Sequence, residues 1–218
     1  MKIYNTLTRK IEEFVPITPG KIKMYGCGIT PYDYSHLGHA MQSIVFDVIR
    51  RYFEFRGYQV TYARNYTDVD DKIIKAAANK NVNALTFSRD MIASTENDLN
   101  DLGVKPADFT PKVSESIQDI IDVVMTLINK GYAYSTPQGN VYYRVEKFNE
   151  YGKLSNQNIN NLFSGTRKDN EPDKEDFRDF ALWKTHKPGE IFWDSPWGKG
   201  RPGWHIECSA MCKHYLGD

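Results

Sequence analysis

The stretch from Ile22 to Gly57, IKMYGCGITPYDYSHLGHAMQSIVFDVIRRYFEFRG, constrains the fold more than any other part of the chain. Ile22, Met24 and Cys27 lie in a short apolar run that reads as a buried strand, and turn signals begin at Gly26-Cys27-Gly28. A loop with Thr30-Pro31 and Tyr32-Asp33 then leads to His36-Leu37-Gly38-His39. Beyond it, Met41, Ile44, Val45, Val48, Ile49, Tyr52 and Phe53 recur at the i, i+3, i+4, i+7 spacing of an amphipathic helix, which Gly57 closes. A strand feeding a loop that ends on a helix N-terminus makes an anion cradle, because unpaired amides and the helix dipole both favour phosphate. His36 and His39 project on one side of the helix head, and Gly38 lets a ligand approach the backbone. On spacing alone, one histidine could equally cap the helix while the other sits at the surface.

The rest of the chain repeats the alternation and then changes character. Residues 1–21 read as an extended lead-in with turns at Pro16, Pro19 and Gly20. Tyr58–Arg64 has the β-branched and aromatic bias of a second strand, followed by the polar loop Asn65–Lys72 and a helix from about Asp71. Strand, helix, strand, helix predicts a βαβ unit with a parallel sheet, whose two loops face one crevice. A further helix spans 84 to 102, and Pro106 to Pro111 marks a boundary. Val113, Ile117, Ile120, Ile121, Val124, Leu127 and Ile128 predict another helix, ended by Gly131. Residues 132–135 and 140–145 read as a hairpin, 165–179 as a mobile solvated loop, and 180–183 as a strand. The fold class is therefore α/β: an incomplete Rossmann-like, parallel-sheet nucleotide-binding domain with an α+β insertion. Its expected divisions are 1–112, 113–195 and 196–218.

Several classes are disfavoured. With 40% hydrophobic and 26% charged residues, the chain has an ordinary globular composition. No apolar run approaches a membrane span, and MKIYNTLTRK lacks the apolar core of a signal peptide. Three cysteines make no disulfide framework, so a reducing cytoplasm is expected. The net charge of zero announces no nucleic-acid partner, so RNA would bind through local patches or through a further part of the protein. Asp68, Asp70 and Asp71 could bind a metal but are accounted for by a helix cap and first turn. Trp183, Trp193 and Trp197 read as core and turn packing, and Cys212 as structural.

His-Leu-Gly-His resembles the HIGH signature of class I aminoacyl-tRNA synthetases and related nucleotidylyl transferases. The segments MYGCGITPYDYSHLGH, RNYTDVDDKII and SPWGKGRPGWHIECSAM, in that order and spacing, resemble those of the cysteinyl-tRNA synthetase family. The resemblance runs from Ile3 to Met211. It implies a zinc ion held by two cysteines, a histidine and a glutamate, with Cys27 and Cys208 as the thiolate ligands. It further implies catalytic roles for His36 and His39, ATP contacts at Thr30, His36, Gly38 and His39, and substrate contacts at Gly28, Thr30, Thr67, Trp204 and His205. The implied reactants are ATP with magnesium, L-cysteine and tRNA(Cys), and a monomer is expected. Zinc suits the choice of cysteine over serine. The two are near-isosteres that a pocket separates poorly, whereas zinc deprotonates a thiol and prefers thiolate to alcohol.

The chain departs from the family pattern at its end. It stops at Asp218, before the family's histidine and glutamate ligands and its KMSKS loop, and His214 does not match the missing motif. The expectation is an N-terminal piece that is inactive alone. The alternatives are a cysteine ligase with an amino-sugar acceptor and a non-catalytic truncated paralogue acting as a binding module.

Overall fold

The computed structural model describes residues 1–156 and 172–217. Where the sequence predicts an extended lead-in, strands β1 (Lys2–Asn5) and β2 (Lys10–Glu13) form an antiparallel hairpin. Both are four residues long and mostly exposed, so neither shows the alternating burial by which a strand is recognised.

The predicted unit follows as β3 (Lys21–Gly26), α1 (Leu37–Phe55) and β4 (Gln59–Arg64). The two strands pair in parallel, in register from Lys21 opposite Gln59 to Gly26 opposite Arg64. Parallel neighbours need a crossover, and α1 provides it, so the loops after β3 and β4 open at the same end of the sheet. Residues 108–113 line the other edge of β4: the Arg64 N–H donates to the Phe109 carbonyl and the Tyr66 N–H to that of Pro111, each at 2.9 Å. The boundary expected between Pro106 and Pro111 is thus an edge segment of this sheet, where proline's missing N–H is tolerated.

Helix α1 forms where predicted but packs differently from what its apolar stripe suggests. Met41, Ile44, Val45, Val48 and Tyr52 are exposed, whereas Ser43, Asp47 and Arg50 are buried. Of the stripe, Phe53 is buried, with its ring 5.0 Å from that of Phe14. The polar face is buried because the 103–108 segment supplies partners for it. Arg50 donates to the Pro106 carbonyl at 2.6 Å and to Asp108 at 2.8 Å, and Asp47 accepts from the Lys105 N–H at 3.3 Å.

Helices α2 (Asp71–Asn79) and α3 (Ala84–Asp101) come next. Asp70 caps α2 by accepting the Lys72 N–H at 2.8 Å, and Asp68 accepts the Ser114 N–H at 2.9 Å. Asp71 pairs with Arg201 and, at 3.5 Å, with Lys184. All three acids have structural partners.

Helix α4 (Ile117–Asn129) precedes a four-stranded antiparallel sheet of β5 (Ala133–Ser135), β6 (Val141–Tyr143), β7 (Phe180–Thr185) and β8 (Gly200–Pro202), in that order. The sheet therefore extends past residue 195, because β8 pairs with β7. The last helix, α5 (Ile206–Leu216), sets Ile206, Ala210 and Met211 into one core with Val113, Ile120, Val124, Leu182 and Trp183. Trp183 is fully buried with Trp197 against it at 5.9 Å, and Trp193 exchanges backbone hydrogen bonds with Gly200. The aromatic residues pack as expected.

The expected mobile loop lies partly outside the described residues (165–171); its remainder, 172–179, is clamped to the hairpin. Asp173 accepts from Thr136 at 2.9 Å, Asn140 at 2.8 Å and Tyr142 at 2.9 Å, while buried Asp179 accepts from Tyr134 at 2.8 Å. Burial alone would raise the Asp173 pKa, but its three donors outweigh burial and hold it below the usual carboxylate range. Charge that reads as solvated in sequence thus finds donors on β5, β6 and their connection. Among the described residues, no helix is long and apolar enough to cross a membrane.

Candidate active site

Three chain segments converge at the carboxyl ends of β3 and β4. The loop after β3 carries Cys27 and Gly28, the loop after β4 carries Asn65 and Thr67, and the first turn of α5 carries Cys208. The Cys27 and Cys208 sulfurs stand 3.7 Å apart, with Cys27 exposed and Cys208 half-buried. Two thiols this close share a proton, so one thiolate is stabilised by the remaining S–H. Cys27 is accordingly lowered to about 6 by its bond with Cys208, against the opposing effect of burial, and Cys208 is pushed up for the reciprocal reason. Among the described residues, no third His, Cys, Asp or Glu joins the two in a group able to hold a metal ion.

Gly28 is required by its surroundings. Its N–H donates to Asn65 Oδ1 at 2.9 Å, and a Cβ on it would lie 1.5 Å from the Asn65 carbonyl oxygen. No side chain fits there. Buried Thr67 donates its N–H to the Ile29 carbonyl at 3.1 Å, joining the two loops, and the half-buried Thr30 accepts the Tyr32 N–H at 2.9 Å.

His36 is the N-cap of α1: its Nδ1 accepts the Gly38 N–H at 3.0 Å, and its own N–H donates to His39 Nδ1 at 3.4 Å. The two rings stack with centroids 3.8 Å apart. Both readings of the pair therefore meet in one arrangement: a cap that also leaves imidazole at a helix N-terminus. His39 is depressed, first by burial and then by the neighbouring His36 charge, so it favours the neutral form. Gln42, one turn along, donates to the Cys27 carbonyl at 3.0 Å and ties the histidine helix to the thiol loop.

Trp204 and His205 stack at 4.3 Å on the approach to α5, both exposed. His205 has φ of 77°, a left-handed conformation costly for a non-glycine residue. Glu207, 2% exposed with Oε2 unpartnered, is raised to about 7 chiefly by burial. By contrast, His214 lies 3.1 Å from Asp119 on the α4 side, so it is engaged by that helix.

The structure thus brings Cys27, Gly28, Thr67 and Cys208 together around Asn65, and links His36 and His39 to them through Gln42. Asn65, Gln42 and Glu207 are members of the site that sequence reasoning misses. The signals for Asn65 are its place directly after a strand that ends at the crevice and its position within the family-like segment RNYTDVDDKII.

Residues 13–218 match the family described as tRNA synthetases class I (C) catalytic domain. A cysteine–tRNA ligase of Geobacillus sp. (strain WCH70) is 57% identical over all 218 residues, which cover 47% of that protein. That of Maridesulfovibrio salexigens is 51% identical over 216 residues, 99% of this chain and 44% of its own length. A solved LeuRS from Agrobacterium radiobacter K84, in a ternary complex with tRNA and LeuAMS, aligns with a TM-score of 0.46 at 19% identity, covering 61% of this chain and 17% of its own. The chain spans about half the length of the curated relatives it matches. It belongs to the class I tRNA synthetase (C) catalytic-domain family, and its curated relatives are cysteine–tRNA ligases.

Proposed function

We propose that the chain is the ATP- and cysteine-binding part of an enzyme that forms cysteinyl-adenylate and transfers the cysteinyl group to tRNA(Cys). The observation that carries this reading is the thiol pair. Two sulfurs about 2.3 Å from one tetrahedral zinc lie about 3.8 Å apart, and the Cys27 and Cys208 sulfurs lie 3.7 Å apart. The donor set therefore fits half of a zinc shell. Zinc held there would deprotonate a thiol and discriminate against an alcohol.

The remaining roles follow from position. Gly28 and Thr67, beside the thiol pair, with Thr30, Trp204 and His205 would bind the amino acid. The head of α1, with Thr30, His36, Gly38 and His39, would hold ATP, presented with magnesium, its imidazoles and positive helix end serving the phosphates. Attack of the substrate carboxylate on the α-phosphate breaks the bond to pyrophosphate. His36 and His39 assist by donating hydrogen bonds to the departing charge, so catalysis rests on positioning and electrostatics. We assign 1–112 and 196–218 to the catalytic domain and 113–195 to the insertion, with β8 extending the insertion's sheet. We further propose that it acts in the cytoplasm as a monomer.

In the full-length protein, Cys27→Ala and Cys208→Ala should each weaken zinc binding severely and abolish cysteine-dependent ATP–pyrophosphate exchange. Retention of both would overturn the assignment. The 218 residues alone should not aminoacylate tRNA, and measurable charging would contradict that expectation.

A further inference from the structure

Asn65 is fully buried at the carboxyl end of β4, where a carboxamide must find partners or cost stability. Its partners lie on separate segments of the site. Oδ1 accepts the Gly28 N–H at 2.9 Å, and Cys208 Sγ lies beside it at 3.9 Å. Nδ2 donates to Thr67 Oγ1 at 3.4 Å. This orientation is fixed, because a backbone N–H can only donate and so requires the oxygen side of the carboxamide. The Asn65 carbonyl also packs so closely against Gly28 that no Cβ would fit there. One side chain therefore joins the residue after Cys27 to the hydroxyl of Thr67, with the Cys208 sulfur packed beside it.

We propose that Asn65 is a positioning residue that sets the Cys27–Cys208 separation and thereby the metal affinity of the site. This rests on the reading of that pair as metal ligands. Asn65 supplies no ligand itself; without its carboxamide the Gly28 N–H loses its acceptor and the Cys27 loop loses its tie to the loop after β4, beside which Cys208 stands. Such outer partners of metal ligands are typically worth a 10–100-fold effect on affinity.

The test is zinc competition titration of the full-length protein, with cobalt(II) as a spectroscopic probe. Asn65→Leu and the smaller Asn65→Ser should each weaken zinc binding by about 10–100-fold. At saturation both should keep the full sulfur-to-cobalt charge-transfer band, because both thiolates remain. Cys27→Ala should instead lose about half of that band. A folded Leu or Ser variant with unchanged zinc affinity would overturn the proposal and leave the ligand reading intact. Wild-type protein that binds no zinc, or binds it as well after Cys27→Ala, would instead overturn the ligand reading on which the proposal rests. Should Asn65→Leu fail to fold, Asn65→Ser alone decides.

Discussion

Cys27 and Cys208 are separated by 181 residues in sequence and by 3.7 Å between their sulfurs. One stands at the end of β3 and the other in the first turn of α5, so the pair exists only once the insertion has folded and returned the chain to the sheet. In the metal-free protein this closeness has a titration consequence. Cys27 is lowered to about 6 because the Cys208 S–H stabilises its thiolate. Alkylation of Cys27 should rise with pH through about 6, since the thiolate is the reactive form. In Cys208→Ala the midpoint should move up, because the S–H donor is gone. Mass spectrometry of iodoacetamide-treated protein across pH checks this, and an unchanged midpoint would contradict it.

Glu207 should make the metal-free protein less stable as pH rises. Its folded-state pKa, raised from 4.5 to about 7, lies above its unfolded value, so the folded state binds the proton more tightly. Stability is therefore fully present below about 4.5 and falls as pH rises to about 7, where a buried carboxylate with an unpartnered oxygen must carry charge. Glu207→Gln should flatten that dependence, giving a higher melting temperature than wild type above neutrality and little difference in acid. Parallel melting curves for the two proteins would refute the account.

His36 combines two roles that substitution can separate. His36→Ala removes the cap on α1 and should cost about 1 kcal/mol of stability, whereas His36→Asn should retain most of it. Both should lower pyrophosphate exchange in the full-length protein if the imidazole serves the phosphates. Denaturant melts paired with exchange assays separate the roles, and wild-type exchange in His36→Asn would exclude the imidazole.

The outer face of α1 should tolerate charge in the 218-residue chain. Val45 is 47% and Val48 59% exposed, so neither contributes much burial. Val45→Lys and Val48→Lys should each change stability by no more than about 0.5 kcal/mol and should reduce binding of a hydrophobic dye. A large drop in melting temperature would show that this face is buried in solution.

That helix also shows what the sequence could and could not reveal. Its existence was legible because periodicity is local, as were α4, the hairpin and the parallel strands. Which face it buries was not, because that depends on what packs against it. Arg50 and Asp47 are buried by partners more than fifty residues away, at Asp108 and Lys105. Asp173 and Asp179 misled for the same reason: acids that look solvated in sequence are satisfied by hydroxyls and amides of the hairpin. The resemblance pointed to Cys27 and Cys208, and the structure brings them together. Asn65 lies within one of the segments that carry the resemblance, but its part in the site shows only once the chain segments meet around it.

The central claim is that the Cys27 and Cys208 thiolates share one metal ion, and X-ray absorption at the zinc edge of the full-length protein tests it most directly. The account predicts two protein sulfurs around zinc in the cysteine-free protein and one fewer in Cys27→Ser or Cys208→Ser. An unchanged sulfur count in either variant would contradict it.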